Sequence, residues 1–160
     1  MSKNLSKHIG LLILLIYFTC SCRIKPKAIK YGKDSCFYCQ MIINDQRYGA
    51  ELVTARGKVY KFDATECLIN TLKNGTLRNK TPRYILVNTY DAPTEFTEVG
   101  QAYFLRTIKL PSPMGMYITA FSEKEIAQQN QAEKGGSLFH WEELYDQFNT
   151  LPPLSPLIHE

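Results

Sequence analysis

The chain has 160 residues, 44% of them hydrophobic and 12% aromatic, with a formal charge of +4 at neutral pH. That length suits one domain, or two small units built together, and the composition predicts a packed core. Removing Lys3 and Lys7 with an N-terminal leader lowers the charge to +2, too mild a balance to argue for nucleic acid.

The leader comes first. Lys3 and Lys7 precede the apolar run Ile9 to Phe18, IGLLILLIYF. A membrane-spanning helix needs about 20 apolar residues, so this shorter run predicts a signal-peptide core. It ends in Thr19-Cys20-Ser21-Cys22, which resembles a bacterial lipobox. The expectation is a lipoprotein signal over 1–21, with Cys22 as the lipidated residue and Cys20 as the alternative. An ordinary secretory signal or an uncleaved anchor is the other reading. In each case the protein leaves the cytoplasm, and several acyl chains hold a membrane far better than one.

Residues 22–33, basic with one proline, predict a tether. Glu51 to Asp63, ELVTARGKVYKFD, predicts a β-hairpin turning at Gly57. Asp63 is the expected N-cap of a helix carrying Cys67, Leu68, Ile69 and Leu72, with Glu66 as capping-box partner. Gly75 stops that helix, and Arg83 to Asn88 is a third strand. The order then repeats without repeating its sequence. Gln101 to Thr107 and Met116 to Phe121 predict strands, and Ser122 is the expected cap of a helix ending before Gly135-Gly136. Leu138 to His140 is a short strand and Trp141 to Phe148 a last helix. The predicted fold is α+β: a first β-β-α-β unit within 34–95 and a second within 96–149. A proline-rich tail over 150–160 follows.

Three cysteines remain once Cys20 and Cys22 are assigned to the leader: Cys36, Cys39 and Cys67. An odd number argues against a pure disulfide framework in an exported chain. Cys36 and Cys39 form a Cys-x-x-Cys pair with Met41 two residues on, in DSCFYCQMIIND. A redox pair opens a helix in a β-α-β context, and this pair precedes a hairpin. Structural zinc wants four nitrogen or sulfur ligands, commonly two spaced pairs, and a second pair is missing. Cu(I) is soft and takes thiolates and thioethers. In an extended segment positions i and i+2 point the same way, so Cys39 and Met41 would reach one ion. Met114 and Met116, in PSPMGM, offer two more thioethers. The residues alone leave copper, zinc and redox chemistry open, and Met41 also reads as core filler.

Cys36-x-x-Cys39-x-Met41, the Val59 to Asp63 strand end with Cys67 in the next helix, Pro113-Met114-Gly115, Ala120-Phe121 and Gly135-Gly136 follow one another in that order. Together, over roughly 34–149, they resemble the NosL family. That resemblance implies lipoproteins delivering Cu(I) to nitrous oxide reductase, with two β-β-α-β units similar to the organomercurial lyase fold. It also implies Cys39 and Met41 as principal ligands, Cys36 as a third ligand or exchange partner, and Met114 as a closing ligand. The implied partners are apo nitrous oxide reductase or its copper-site assembly machinery, reached from a lipid anchor facing the periplasm. One departure stands out: Gln40 occupies a position the family commonly gives to glycine.

The remaining candidates have plainer expectations. Cys67 lies on an apolar helix face and packs as a small hydrophobe. His140 is a packed or capping residue, and Asp63 a helix cap. No phosphate loop, paired catalytic carboxylates or nucleophile-and-base spacing is present, so a non-enzymatic carrier is expected. A carbon–mercury-cleaving relative is the alternative that fold likeness alone does not license.

Overall fold

A computed structural model describes residues 23–154. The leader, Cys22 and the last six residues lie outside the described residues.

Ala50–Thr54 (β1) and Val59–Phe62 (β2) form the predicted hairpin, with Leu52 opposite Tyr60 and Ala50 opposite Phe62. Its turn uses Gly57 at φ 78°, a conformation that costs other residues a Cβ clash. Thr65–Lys73 (α1) crosses over, and Pro82–Asn88 (β3) returns antiparallel to β1. Phe96–Glu98 (β4) then joins the edge of β3, giving the order β2-β1-β3-β4. The second unit pairs Tyr103–Arg106 (β5) with Ile118–Phe121 (β6), adds Lys124–Lys134 (α2), and returns as Ser137–Phe139 (β7). Its sheet order is β6-β5-β7, all antiparallel, and Trp141–Gln147 (α3) follows. The fold is therefore α+β, with two consecutive β-β-α-β units. Among the described residues no helix is long and apolar enough to cross a membrane.

The two units share a core. Leu52, Phe62 and Leu68 of the first pack in one cluster with Phe104, Ile118 and Leu144 of the second. Successive side chains of a strand face opposite ways, yet all five residues of β1 are buried, Glu51 included. The reason lies in residues 23–33, which are not the free tether that their composition predicts. Lys27 N–H donates to Glu51 Oε1 at 2.8 Å, Ile29 is buried, and Tyr31 Oη donates to Asn88 Oδ1 at 2.6 Å. This strip covers the face of β1 turned away from α1. It lies so close that a Cβ on Gly49 would come within 2.7 Å of Ile29, Tyr31 and Asn88.

Both predicted helix caps are replaced. Ala64, not Asp63, is the N-cap of α1 and makes no side-chain cap bond. Glu66 turns inward, where its Oε1 accepts the hydroxyl of Ser112 from the second unit. Glu123, not Ser122, is the N-cap of α2, because Ser122 is held by Asp91 through both its N–H and its hydroxyl.

Candidate metal centre

The Cys-x-x-Cys segment is a small hairpin laid along the free edge of β2. Ile43 N–H donates to Asp34 O, Ser35 bridges Ile42, and Cys36 N–H donates to Met41 O at 2.8 Å. Four residues, Phe37 to Gln40, must then reverse the chain, and Gln40 N–H closes the loop on Cys36 O at 3.1 Å. That closure puts Gln40 at φ 63°. The segment is thus not extended at Gln40, which corrects the i, i+2 alignment of Cys39 and Met41 expected above. The glutamine side chain offsets part of the left-handed cost by donating to Phe37 O at 2.7 Å.

Attachment to β2 is polar and aromatic. Phe37 N–H donates to Lys61 O, and its ring stands edge-on to Tyr60 with centroids 4.8 Å apart. Lys61 Nζ meets Asp34 Oδ2 at 2.6 Å, and this hydrogen bond holds the Asp34 carboxyl below the usual carboxylate range.

The hairpin turns Cys36 and Cys39 inward, and α1 brings Cys67 to meet them in its first turn. Their three sulfurs all lie within 4.8 Å of one another. Cys36 and Cys67 are fully buried, Cys39 is half-buried, and none of the three is in a disulfide. Cys67 is the residue that sequence reasoning missed. An apolar helix face was read as its reason for burial, whereas its thiol completes the cluster. The signal was the odd third cysteine, left without a partner.

Charge is unevenly shared among the three. The Cys67 thiol donates to Cys36 sulfur and, against the cost of burial, pulls its pKa down to about 5. Backbone N–H groups of Cys39, Asp63 and Tyr38 point at the same sulfur. The last turn before α1 thus places a thiolate at a helix N-terminus, where the macrodipole favours negative charge. Cys67 is pushed up by the same hydrogen bond and by burial, and Cys39 is pushed up first by burial. Negative charge on the trio is thereby directed to Cys36. Burial, then the Cys36 charge, raise the nearby Asp63 carboxyl, which accepts Asn44 N–H rather than capping α1.

The methionines sit around this cluster in different ways. Met41 is 48% exposed on the same hairpin. Met114 and Met116 are half-buried and pack against the core cluster that contains Cys36 and Cys67. Their loop is fixed to α1 through Ser112, whose hydroxyl donates to buried Glu66 and accepts Tyr117 N–H at 2.8 Å. Tyr117 ends that loop at φ 62°, so both non-glycine residues with positive φ among the described residues lie in the two Cys/Met segments. His140 is exposed, is the N-cap of α3 and stacks edge-on against Tyr103, apart from the sulfur cluster. Cys22 lies outside the described residues.

The surface around the trio is apolar. Phe37, Tyr38, Met41 and Ile42 are the large hydrophobic residues exposed among the described residues, and all four belong to this hairpin. The exposed apolar side chains are thus gathered on the segment that carries Cys36 and Cys39.

The NosL family profile matches residues 27–148. The chain belongs to the NosL family. Among solved structures it is similar to the copper chaperone NosL from Shewanella denitrificans, at 24% identity and a TM-score of 0.65. The likeness covers 76% of this chain and 96% of that one. No curated protein sequence matches it. NosL membership accounts for the paired β-β-α-β units, and the three convergent thiols give this member a site able to hold a metal ion.

Proposed function

We propose that this NosL-family protein is a carrier of Cu(I), not an enzyme, and that copper is its cargo. The observation that carries the reading is the convergence of Cys36, Cys39 and Cys67 to within 4.8 Å. Three thiolates suit a soft ion that accepts low coordination numbers, whereas zinc favours four ligands. Met41 and Met114 supply thioethers, which are soft and uncharged, to complete or to exchange at the site.

The geometry suits uptake and release. Cys36 is the sulfur most readily deprotonated and so the first to meet the ion, and loading expels the protons that the other sulfurs carry. Cys67 and Cys36 lie inside, and Cys39 and Met41 stand on the open side. An incoming soft ligand from a recipient enters on that open side and displaces the outer sulfurs first. The exposed apolar hairpin gives the recipient a surface to dock on while the exchange proceeds.

The protein is exported, anchored through lipid at Cys22 and turned toward the periplasm, in the reading given by its leader. Its recipient is apo nitrous oxide reductase or the machinery that assembles that enzyme's copper site. Anaerobic Cu(I) titration against a competing chelator tests the carrier. The expected result is one ion per chain, with Cys36→Ser, Cys39→Ser and Cys67→Ser each weakening it at least tenfold. Unchanged affinity in the triple serine variant would misplace the site.

A further inference from the structure

The small net charge conceals a strong division. Residues 23–90 carry thirteen Lys or Arg against five Asp or Glu, and residues 91–154 carry four against nine. The first unit's five carboxylates contribute little outside. Glu51, Asp63 and Glu66 are buried, Asp34 pairs with Lys61 and Asp45 with Arg47. Up to the end of β3 the exterior of the first unit is therefore almost wholly basic, and the edge strand β4 with the residue before it adds the exposed carboxylates Glu95 and Glu98.

Five of these thirteen basic residues gather at one end of its sheet. The β1–β2 turn lies beside the loop entering β3, joined by Ala55 N–H to Thr81 O at 2.8 Å, and the two line a shared cleft with Arg56 and Lys80. Ile24 Cγ1 lies 3.8 Å from where a Cβ on Gly57 would stand, so the described chain begins at this same turn. Arg23, Lys25, Arg56, Lys80 and Arg83 thus gather around the point from which the leader departs. Arg83 is in β3, Arg56 and Lys80 lie in the adjoining turn and loop, and among the described residues none of the five forms an ion pair.

From this we infer that the end of the first sheet bearing the β1–β2 turn is a membrane-apposed face, fitted to anionic phospholipid headgroups. Positive charge next to an anchoring segment is what an anionic leaflet attracts, within about a Debye length of its surface. An anchor alone lets the body tumble, and the basic end fixes which way it faces. The hairpin runs along β2, and its thiols gather beside Asp63, whose N–H points at Cys36, roughly 20 Å from Gly57 at strand rise. With the basic turn down on the bilayer, the thiols and the acidic second unit face the open compartment, where a recipient approaches. The orientation rests on the lipid-anchored reading for its setting, and on charge placement for its direction.

Amine footprinting of the full chain on vesicles tests it. Acetylation of Lys25 and Lys80 is compared with that of Lys109 and Lys124, on neutral phosphatidylcholine and on vesicles with added phosphatidylglycerol. The expected result is acetylation of Lys25 and Lys80 slowed at least about threefold on anionic vesicles, with Lys109 and Lys124 unchanged. High salt and the Arg56→Glu/Arg83→Glu variant should each restore the rate, and a circular dichroism melt confirms that the variant folds. Equal rates on both vesicles would overturn the proposal and leave the face to an acidic protein. Uniform protection of all four lysines would overturn it too. Retention on neutral vesicles in high salt reports the anchor separately, so loss of anchoring and loss of orientation are read from different lanes.

Discussion

Replacing Cys67 with alanine removes the thiol that donates to Cys36, while leaving the backbone N–H groups of Cys39, Asp63 and Tyr38 in place. A hydrogen bond to a charged acceptor is worth about 1.5–3 kcal/mol, which corresponds to roughly 1–2 pH units. Cys36, held at about 5 in the native protein, should then titrate about 1–2 units higher. Cys67→Ser keeps an O–H donor and should leave the midpoint close to its native value. Thiolate ultraviolet absorbance, followed by acid titration of the metal-free reduced protein, reads the midpoint directly. The sign carries over to stability. A depressed pKa contributes stability that is complete above the unfolded value near 9 and is lost as pH falls through about 5. Cys67→Ala should therefore keep a smaller contribution and finish losing it at a higher pH than the native chain. A midpoint that moves by less than about half a unit in Cys67→Ala would refute the donor role. An equal shift in Cys67→Ser would refute it as well.

Other perturbations reach the scaffold around the site. Glu51 is buried and pushed up to about 7, against an ordinary 4.5, so between those values the unfolded chain has lost a proton that the native one keeps. Stability should fall by up to about 3 kcal/mol as pH rises through that window, and Glu51→Gln should flatten the slope. Urea midpoints at the two ends of the window check this; parallel pH profiles would contradict it. Gln40→Gly relieves a left-handed backbone costing about 1–2 kcal/mol but adds about 0.5–1 kcal/mol of unfolded-state entropy. Its stability should stay within about 1 kcal/mol of the native chain and its Cu(I) affinity unchanged, whereas Gln40→Val should destabilise by about 1–3 kcal/mol; chemical denaturation and copper titration measure both. Ser112→Ala takes the donor from Glu66 Oε1, whose Oε2 already lacks a partner among the described residues. Thermal unfolding should show a loss of about 1–3 kcal/mol, and no loss would mean that the loop bearing Met114 is not held there.

Much of the fold was legible because its signals are local. Gly57 between two runs of Val, Tyr and Phe marks the hairpin, and Gly75 and Gly135 stop α1 and α2. β4 was not legible, since Phe96–Glu98 is three residues long and carries no alternation. The caps misled because tertiary partners outbid local ones: Asn44 takes Asp63, Ser112 takes Glu66 and Asp91 takes Ser122. At the site, Cys36 and Cys39 announced themselves by spacing. Cys67 meets them through the placement of α1, which no spacing encodes. Gln40 broke the extended reading of Cys39 and Met41, since its positive φ is one that glycine adopts far more readily than other residues. The charge division was hidden in a net value that sums two opposed halves.

X-ray absorption at the copper edge of the Cu(I)-loaded protein, native and Cys67→Ser, tests the central claim most directly. A carrier site built on the thiol trio predicts an all-sulfur first shell in the native protein and the loss of one sulfur, with weaker binding, in the variant. A shell containing nitrogen or oxygen, or a spectrum and affinity that Cys67→Ser leaves untouched, would contradict it.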